Sequence, residues 1–117
     1  MVHIEHCSPI LRVEDMTRSL AFYVGLLCFE NAEWGGGDFT CVTRGGATIY
    51  LRLGDQGRGG AWAWLGVDDA TQFHAECLAR GVPVRMAPRN FPWALEMQLE
   101  DPDGNVLLLG SEPLPEA

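Results

Sequence analysis

Two short boundaries, Val13-Glu14-Asp15 and Val67-Asp68-Asp69, superimpose on each other with their aspartates 54 residues apart. Each closes an apolar run that reads as a strand and opens a segment with helical spacing, so one half of the chain repeats the other. The repeat constrains the fold more than any composition figure, because whatever one half forms the other must form again.

After Asp15, Leu20, Tyr23, Val24 and Leu27 recur at helical intervals, and the aspartate can cap the free N–H groups of the first turn. After Asp69, Ala70, Phe73 and Cys77 do the same, and Gly81 supplies a residue able to take positive φ at the helix end. Each helix is followed by three strand-like stretches, 30–34, 38–43 and 47–53 in the first half and 82–87, 94–100 and 106–109 in the second. The turns between them, Gly35-Gly36-Gly37, Gly45-Gly46 and Asp101-Pro102-Asp103-Gly104-Asn105, carry hairpin chemistry. The pattern is β-α-β-β-β, twice, an α+β chain of two tandem βαβββ modules.

The 117 residues are 47% hydrophobic, with no low-complexity tract, which fits one domain over 1–117. Module one covers about 4–53, a hinge 54–60, and module two about 61–110. No apolar run approaches the roughly 20 residues needed to span a bilayer, and no basic region followed by an apolar one opens the chain. A cytoplasmic location without membrane contact is expected by default.

Cys7, Cys28, Cys41 and Cys77 lack metal-type spacing and sit in or beside apolar stretches, so they read as reduced, structural thiols. Eight basic against sixteen acidic side chains give a formal charge of −8, which argues against nucleic acid and would attract cationic partners.

The paired modules, the run Leu11-Arg12-Val13-Glu14-Asp15 with Ser19-Leu20-Ala21-Phe22-Tyr23 and Leu26-Leu27-Cys28-Phe29, and the Asp101–Asn105 turn resemble the vicinal oxygen chelate superfamily. That group includes glyoxalase I, the extradiol dioxygenases, fosfomycin-resistance enzymes and bleomycin-resistance proteins, and the likeness covers roughly residues 4–110. It implies a cup-shaped mixed sheet with the helices on its outer face. Members with chemistry hold a divalent metal in the cup, on His or Glu from the first and last strand of each module.

Strand alternation places those positions here. Pro9, Leu11 and Val13 face the helix, so Ser8, Ile10 and Arg12 face the cup; Ile49 and Leu51 face the helix, so Thr48, Tyr50 and Arg52 face the cup. The resemblance then puts Ser8, Tyr50, Trp62 and Leu108 where ligands would stand. Trp and Leu offer a divalent ion no donor, so no metal and no other cofactor is expected. His3 and His6 precede the strand, and His74 falls on the second helix, on its solvent face. A one-residue slip would bring His6 into the cup only by turning Leu11 and Val13 outward.

Aromatic surface takes the place of the metal: Trp62 and Trp64 share a strand face, Tyr50 belongs to the inner face of module one, and Phe39 and Trp93 lie at strand or loop edges. Flat rings suit stacking on a planar or cationic ligand. The alternative is that they fill a core.

Within the superfamily the likeness is greatest to the metal-free bleomycin-resistance proteins, through Gly37-Asp38-Phe39, Ala61-Trp62-Ala63-Trp64 and Pro92-Trp93-Ala94-Leu95-Glu96. It implies that Phe39, Trp62, Trp64 and Trp93 sandwich an aromatic ligand while Asp38 and Glu96 oppose its positive charge. It also implies a homodimer with module one of one chain facing module two of the other. The 54–60 segment and the 85–90 loop depart from that family. The competing reading is an enzyme, either a glyoxalase-like lyase or isomerase or a metal-free acid–base catalyst using Glu96 or Glu100.

Overall fold

The computed structural model of the protein describes residues 1–54 and 60–115. The expected hinge therefore lies, apart from Gly54 and Gly60, outside the described residues. The first half forms β1 (Ile10–Val13), α1 (Met16–Leu20), β2 (Glu30–Asn31), β3 (Phe39–Arg44) and β4 (Ala47–Leu53). The second forms β5 (Trp62–Gly66), α2 (Ala70–Arg80), β6 (Val84–Asn90), β7 (Leu95–Glu100) and β8 (Val106–Ser111).

Each half builds one four-stranded mixed sheet, in the orders β1-β4-β3-β2 and β5-β8-β7-β6. In both, the first strand runs parallel to the fourth and the rest are antiparallel. The repeat read from Asp15 and Asp69 is thus a repeat of topology. Both aspartates cap their helices, each carboxylate accepting from the backbone N–H three residues on.

One face of each sheet is buried against the helices. Leu11, Val13, Ile49 and Leu51 of the first sheet join Met97, Leu99, Leu107 and Leu109 of the second, with Phe22, Tyr23 and Leu27, in one apolar core. The buried state of Leu11 and Val13 fixes the first-strand register, and His6 stays exposed ahead of β1.

The first helix departs from a plain α-helix. After Leu20 it continues through Ala21–Leu26 as a π-helical segment, with Leu27 N–H donating to Phe22 C=O at 3.0 Å. The wider turn brings the consecutive rings of Phe22 and Tyr23 into the same core, which an α-helical turn would separate further.

The Asp101–Asn105 turn does more than close a hairpin. Asp103 Oδ1 accepts from Glu14 N–H and from Arg18 Nη2, each at 2.9 Å, and Ser19 Oγ donates to Asp103 Oδ2. Tyr23 OH donates to Asp101 Oδ2, and Asn105 Nδ2 to Arg12 C=O. One turn of module two therefore ties down β1 and α1 of module one.

Other expectations shift. The 85–90 stretch read as a loop belongs to β6, whose pairing with β7 is interrupted by two register shifts. Cys41 and Cys77 are buried, but Cys7 and Cys28 are exposed. His74 is half-buried rather than solvent-facing.

Candidate functional site

The sheet faces turned away from the helices carry the candidate residues. On the first sheet, Ile10 pairs with Tyr50 and Arg12 with Arg52 across β1 and β4, while Cys41 and Phe39 stand opposite Tyr50 and Arg52 on β3. Partners in register share a face, so Ile10, Arg12, Phe39, Tyr50 and Arg52 form one surface. Phe39 and Tyr50 stack at 5.5 Å with an interplanar angle of 16°, and Trp34 leans on both at 5.9 and 6.4 Å. The Arg52 guanidinium lies 5.4 Å from the Phe39 ring centre. Asp38, just before β3, is exposed.

On the second sheet, Trp62 and Trp64 stand opposite Val106 and Leu108, and Glu96, Gln98 and Glu100 stand opposite Gly110, Leu108 and Val106. Arg85 crosses this face, donating to Gln98 Oε1 at 2.9 Å and Glu100 Oε1 at 2.8 Å, with its guanidinium 5.5 Å from the Trp62 ring. Trp93 stacks on Phe91 at 4.9 Å and donates its indole N–H to Glu96 Oε2 at 2.7 Å.

Sequence reasoning put Trp62 and Trp64 on one strand face and left Phe39 and Trp93 at strand or loop edges; the structure stacks Phe39 on Tyr50 and bonds Trp93 to Glu96. The two sets lie on separate sheets. These rings are not core filling: Trp34, Trp62, Trp64 and Trp93 are 60, 54, 55 and 67% exposed, and Ile10 47%. Glu96, assigned to a ligand's charge, is engaged with Trp93, and Glu100 with Arg85.

Trp34, Phe91, Arg85 and Arg89 were missed. Trp34 reads in the sequence as the end of a strand, but β2 stops at Asn31, and the ring reaches Phe39 from the glycine-rich turn. An aromatic residue immediately before three glycines was the available signal. Arg85 gave none, because it reaches Trp62 across a sheet whose order the sequence does not state, whereas Arg89 stands only two residues from the Phe91 ring it covers.

The metal positions of the superfamily do not fit a metal here. Tyr50 and Leu108 occupy equivalent places in the two modules, opposite Ile10 and Trp64, and Ser8 and Trp62 lie two residues ahead of those partners. A hydroxyl, a phenol, an indole and an alkyl group are not a divalent-ion donor set. Among the described residues no three His, Cys, Asp or Glu side chains gather elsewhere. Of the buried thiols, Cys77 is pushed up to about 11 by burial and by Glu76, with Arg44 opposing, so it rests as a neutral thiol.

Two clefts touch these faces. One of about 640 Å³ lies between the β3–β4 turn and α2, lined by Arg44, Trp64, Asp69 and Phe73 and flanked by the Arg44–Glu76 ion pair at 3.2 Å. Another of about 450 Å³ is lined by Trp64, Trp93, Asp68 and Glu112. Among the described residues, no helix is long and apolar enough to cross a membrane.

Residues 2–109 match the model of the Glyoxalase/Bleomycin resistance protein/Dioxygenase superfamily. No curated protein matches the chain in sequence. Among solved structures, the chain is similar to TnmS3, an antibiotic binding protein from Streptomyces sp. CB03234, with 31% identity, TM-score 0.77, and coverage of 97% of this chain and 100% of that one. It is similar to a bleomycin-binding protein from bleomycin-producing Streptomyces verticillus, complexed with copper(II)-bleomycin, at 25% identity, TM-score 0.75 and coverage of 95% and 98%. A bleomycin resistance determinant encoded on the transposon Tn5 shares the fold at 22% identity, TM-score 0.80 and coverage of 95% and 100%.

Proposed function

Because the chain belongs to the Glyoxalase/Bleomycin resistance protein/Dioxygenase superfamily, we propose that it sequesters a flat, cationic natural product, such as a bleomycin-family antibiotic, in a cleft between two copies. The observation that carries this reading is the exposure of Trp62, Trp64 and Trp93 on a sheet face whose metal positions hold Trp62 and Leu108. Such a face can stack on a ligand but offers no Lewis acid to activate one.

In this reading Phe39, Tyr50 and Asp38 of one protomer and Trp62, Trp64, Trp93 and Glu96 of its partner form each cleft. A two-fold axis makes two equivalent clefts. Glu96 acts by holding the Trp93 indole upright through its 2.7 Å hydrogen bond. The names of the similar Streptomyces proteins, one antibiotic-binding and one complexed with copper(II)-bleomycin, support the ligand class. The protein works without a metal or cofactor of its own, in the cytoplasm, where its four free cysteines stay reduced.

The test is a tryptophan-fluorescence titration of chelator-treated protein with metal-free and copper-loaded bleomycin, read beside calorimetry. Saturable quenching with one drug per cleft is expected, weakened roughly tenfold or more in Trp62→Ala, as for a buried aromatic anchor. No response at high micromolar drug removes bleomycin and moves weight to the enzymatic reading, a glyoxalase-like lyase or isomerase.

A further inference from the structure

We propose that Asn90 is a positioning residue: its side chain latches residues 112–114, the segment after β8, past the β6–β7 turn, and the closed latch holds the Phe91–Trp93 pair in place. The inference rests on the ligand-binding reading above and adds to it what keeps that turn fixed and what sets how long a ligand stays.

The latch copies a strand pairing. Asn90 Oδ1 accepts from Leu114 N–H at 2.9 Å, and Asn90 Nδ2 donates to Leu114 C=O at 3.1 Å. An asparagine amide presents an acceptor and a donor side by side, as a peptide group does. Leu114 stands between Pro113 and Pro115, so it carries the only backbone N–H of the three. Glu112 and Leu114 each precede a proline and are thereby held to extended backbone. The segment therefore gives up little freedom when it closes.

Topology sets where the strap lies. Asn90, Leu95 and Ser111 stand level across β6, β7 and β8, with β7 between the other two. Ser111 and Asn90 are thus two strand spacings apart, roughly 9.5 Å. Three extended residues reach about 10 Å, so with the Asn90 side chain completing the span the strap crosses directly past β7. It passes at the end where the turn projects, and Glu112 lines the 450 Å³ cleft beside Trp93.

What the latch holds is the turn. Phe91 follows Asn90 directly, its N–H donates to Ala94 C=O at 2.9 Å, and its ring stacks on Trp93. Asn90 fixes one end of the turn and the Trp93–Glu96 hydrogen bond the other. Asn90 and Leu114 are both exposed, so the latch can open without disturbing the buried Met97, Leu99, Leu107 and Leu109 of β7 and β8.

Hydrogen exchange followed by NMR on the full chain, without ligand, tests the latch. Asn90→Ala should speed exchange of the Leu114 and Phe91 amides and of the Trp93 indole N–H by roughly tenfold, with the β8 amides unchanged. Pro113→Gly, which leaves residue 90 intact but loosens the strap, should move the same signals in the same direction. Faster exchange at Leu114 alone overturns the proposal, because the turn then stands without the latch. Faster exchange that spreads through β8 overturns it too, because Asn90 then supports the whole sheet. Stopped-flow with copper-loaded bleomycin reads the consequence: dissociation from Asn90→Ala is expected to be roughly tenfold faster, with the association rate little changed. Equal dissociation rates from a chain that does bind the drug sink the positioning role alone. A wild-type chain that ignores bleomycin while the exchange pattern holds sinks the drug and leaves the latch standing.

Discussion

Tyr23 has no exposed surface, and its hydroxyl donates to Asp101 at 2.9 Å. Burial first, then the Asp101 and Asp103 carboxylates, hold its pKa far above the ordinary phenol range, so the group remains a donor. Asp101 also accepts from Asp103 N–H, Asn105 N–H and Asn105 Nδ2. Tyr23→Phe leaves that buried carboxylate one donor short, and a loss of about 1–3 kcal/mol in urea unfolding is expected. The pH dependence has a definite sign. In the unfolded chain tyrosine ionises near 10, while the folded state keeps the proton, so this contribution is complete below about pH 10 and lost as pH rises beyond it. Tyr23→Phe should lose stability less steeply in that alkaline range; parallel curves would mean that the hydroxyl contributes nothing. In the sequence Tyr23 reads only as a helix-face apolar residue, because its partner lies 78 positions away.

The two modules end their helices differently. Gly81 takes φ 72° after α2, and the matching place after the first helix is held by Cys28 at φ 61°, the sole non-glycine residue with positive φ among those described. A side chain in that conformation is strained, and glycine is not. Cys28→Gly is expected to raise stability by about 1 kcal/mol and the melting temperature by a few degrees, read by thermal unfolding. An unchanged or lower midpoint would show that Cys28 packs well enough to offset its strain. Helices, strand faces and their order were legible because alternation at Leu11, Val13, Ile49 and Leu51 and the caps at Asp15 and Asp69 are local signals. The π-helical segment was not, since it answers to the core that must take Phe22 and Tyr23 together. Of β6 only the start was, within the stretch read as a strand at 82–87; further on, Pro88 and the register shifts disguise the rest of the edge strand as a loop.

For the whole molecule, the repeat predicts two modules but not how they pack on each other. That is decided by Asp101, Asp103 and Asn105 reaching β1 and α1, bonds hidden in what reads as a hairpin turn. The same packing leaves both aromatic faces open, with β1 and β5 each at the end of its sheet. Tryptophans concentrated on two faces of a 117-residue chain form the kind of patch that an isolated protomer rarely leaves bare. A second copy can cover both at once, first sheet against second, through one two-fold operation. Sedimentation velocity at micromolar concentration is therefore expected to give twice the chain mass, and Ile10→Asp, which places a charge on the open face of β1, to shift it toward the monomer. If each cleft needs two protomers, drug binding and association are linked: ligand must pull monomer into dimer, and the apparent drug affinity of Ile10→Asp must rise with protein concentration. A protein that stays monomeric at all concentrations yet binds drug at one per chain would place the site within a single protomer.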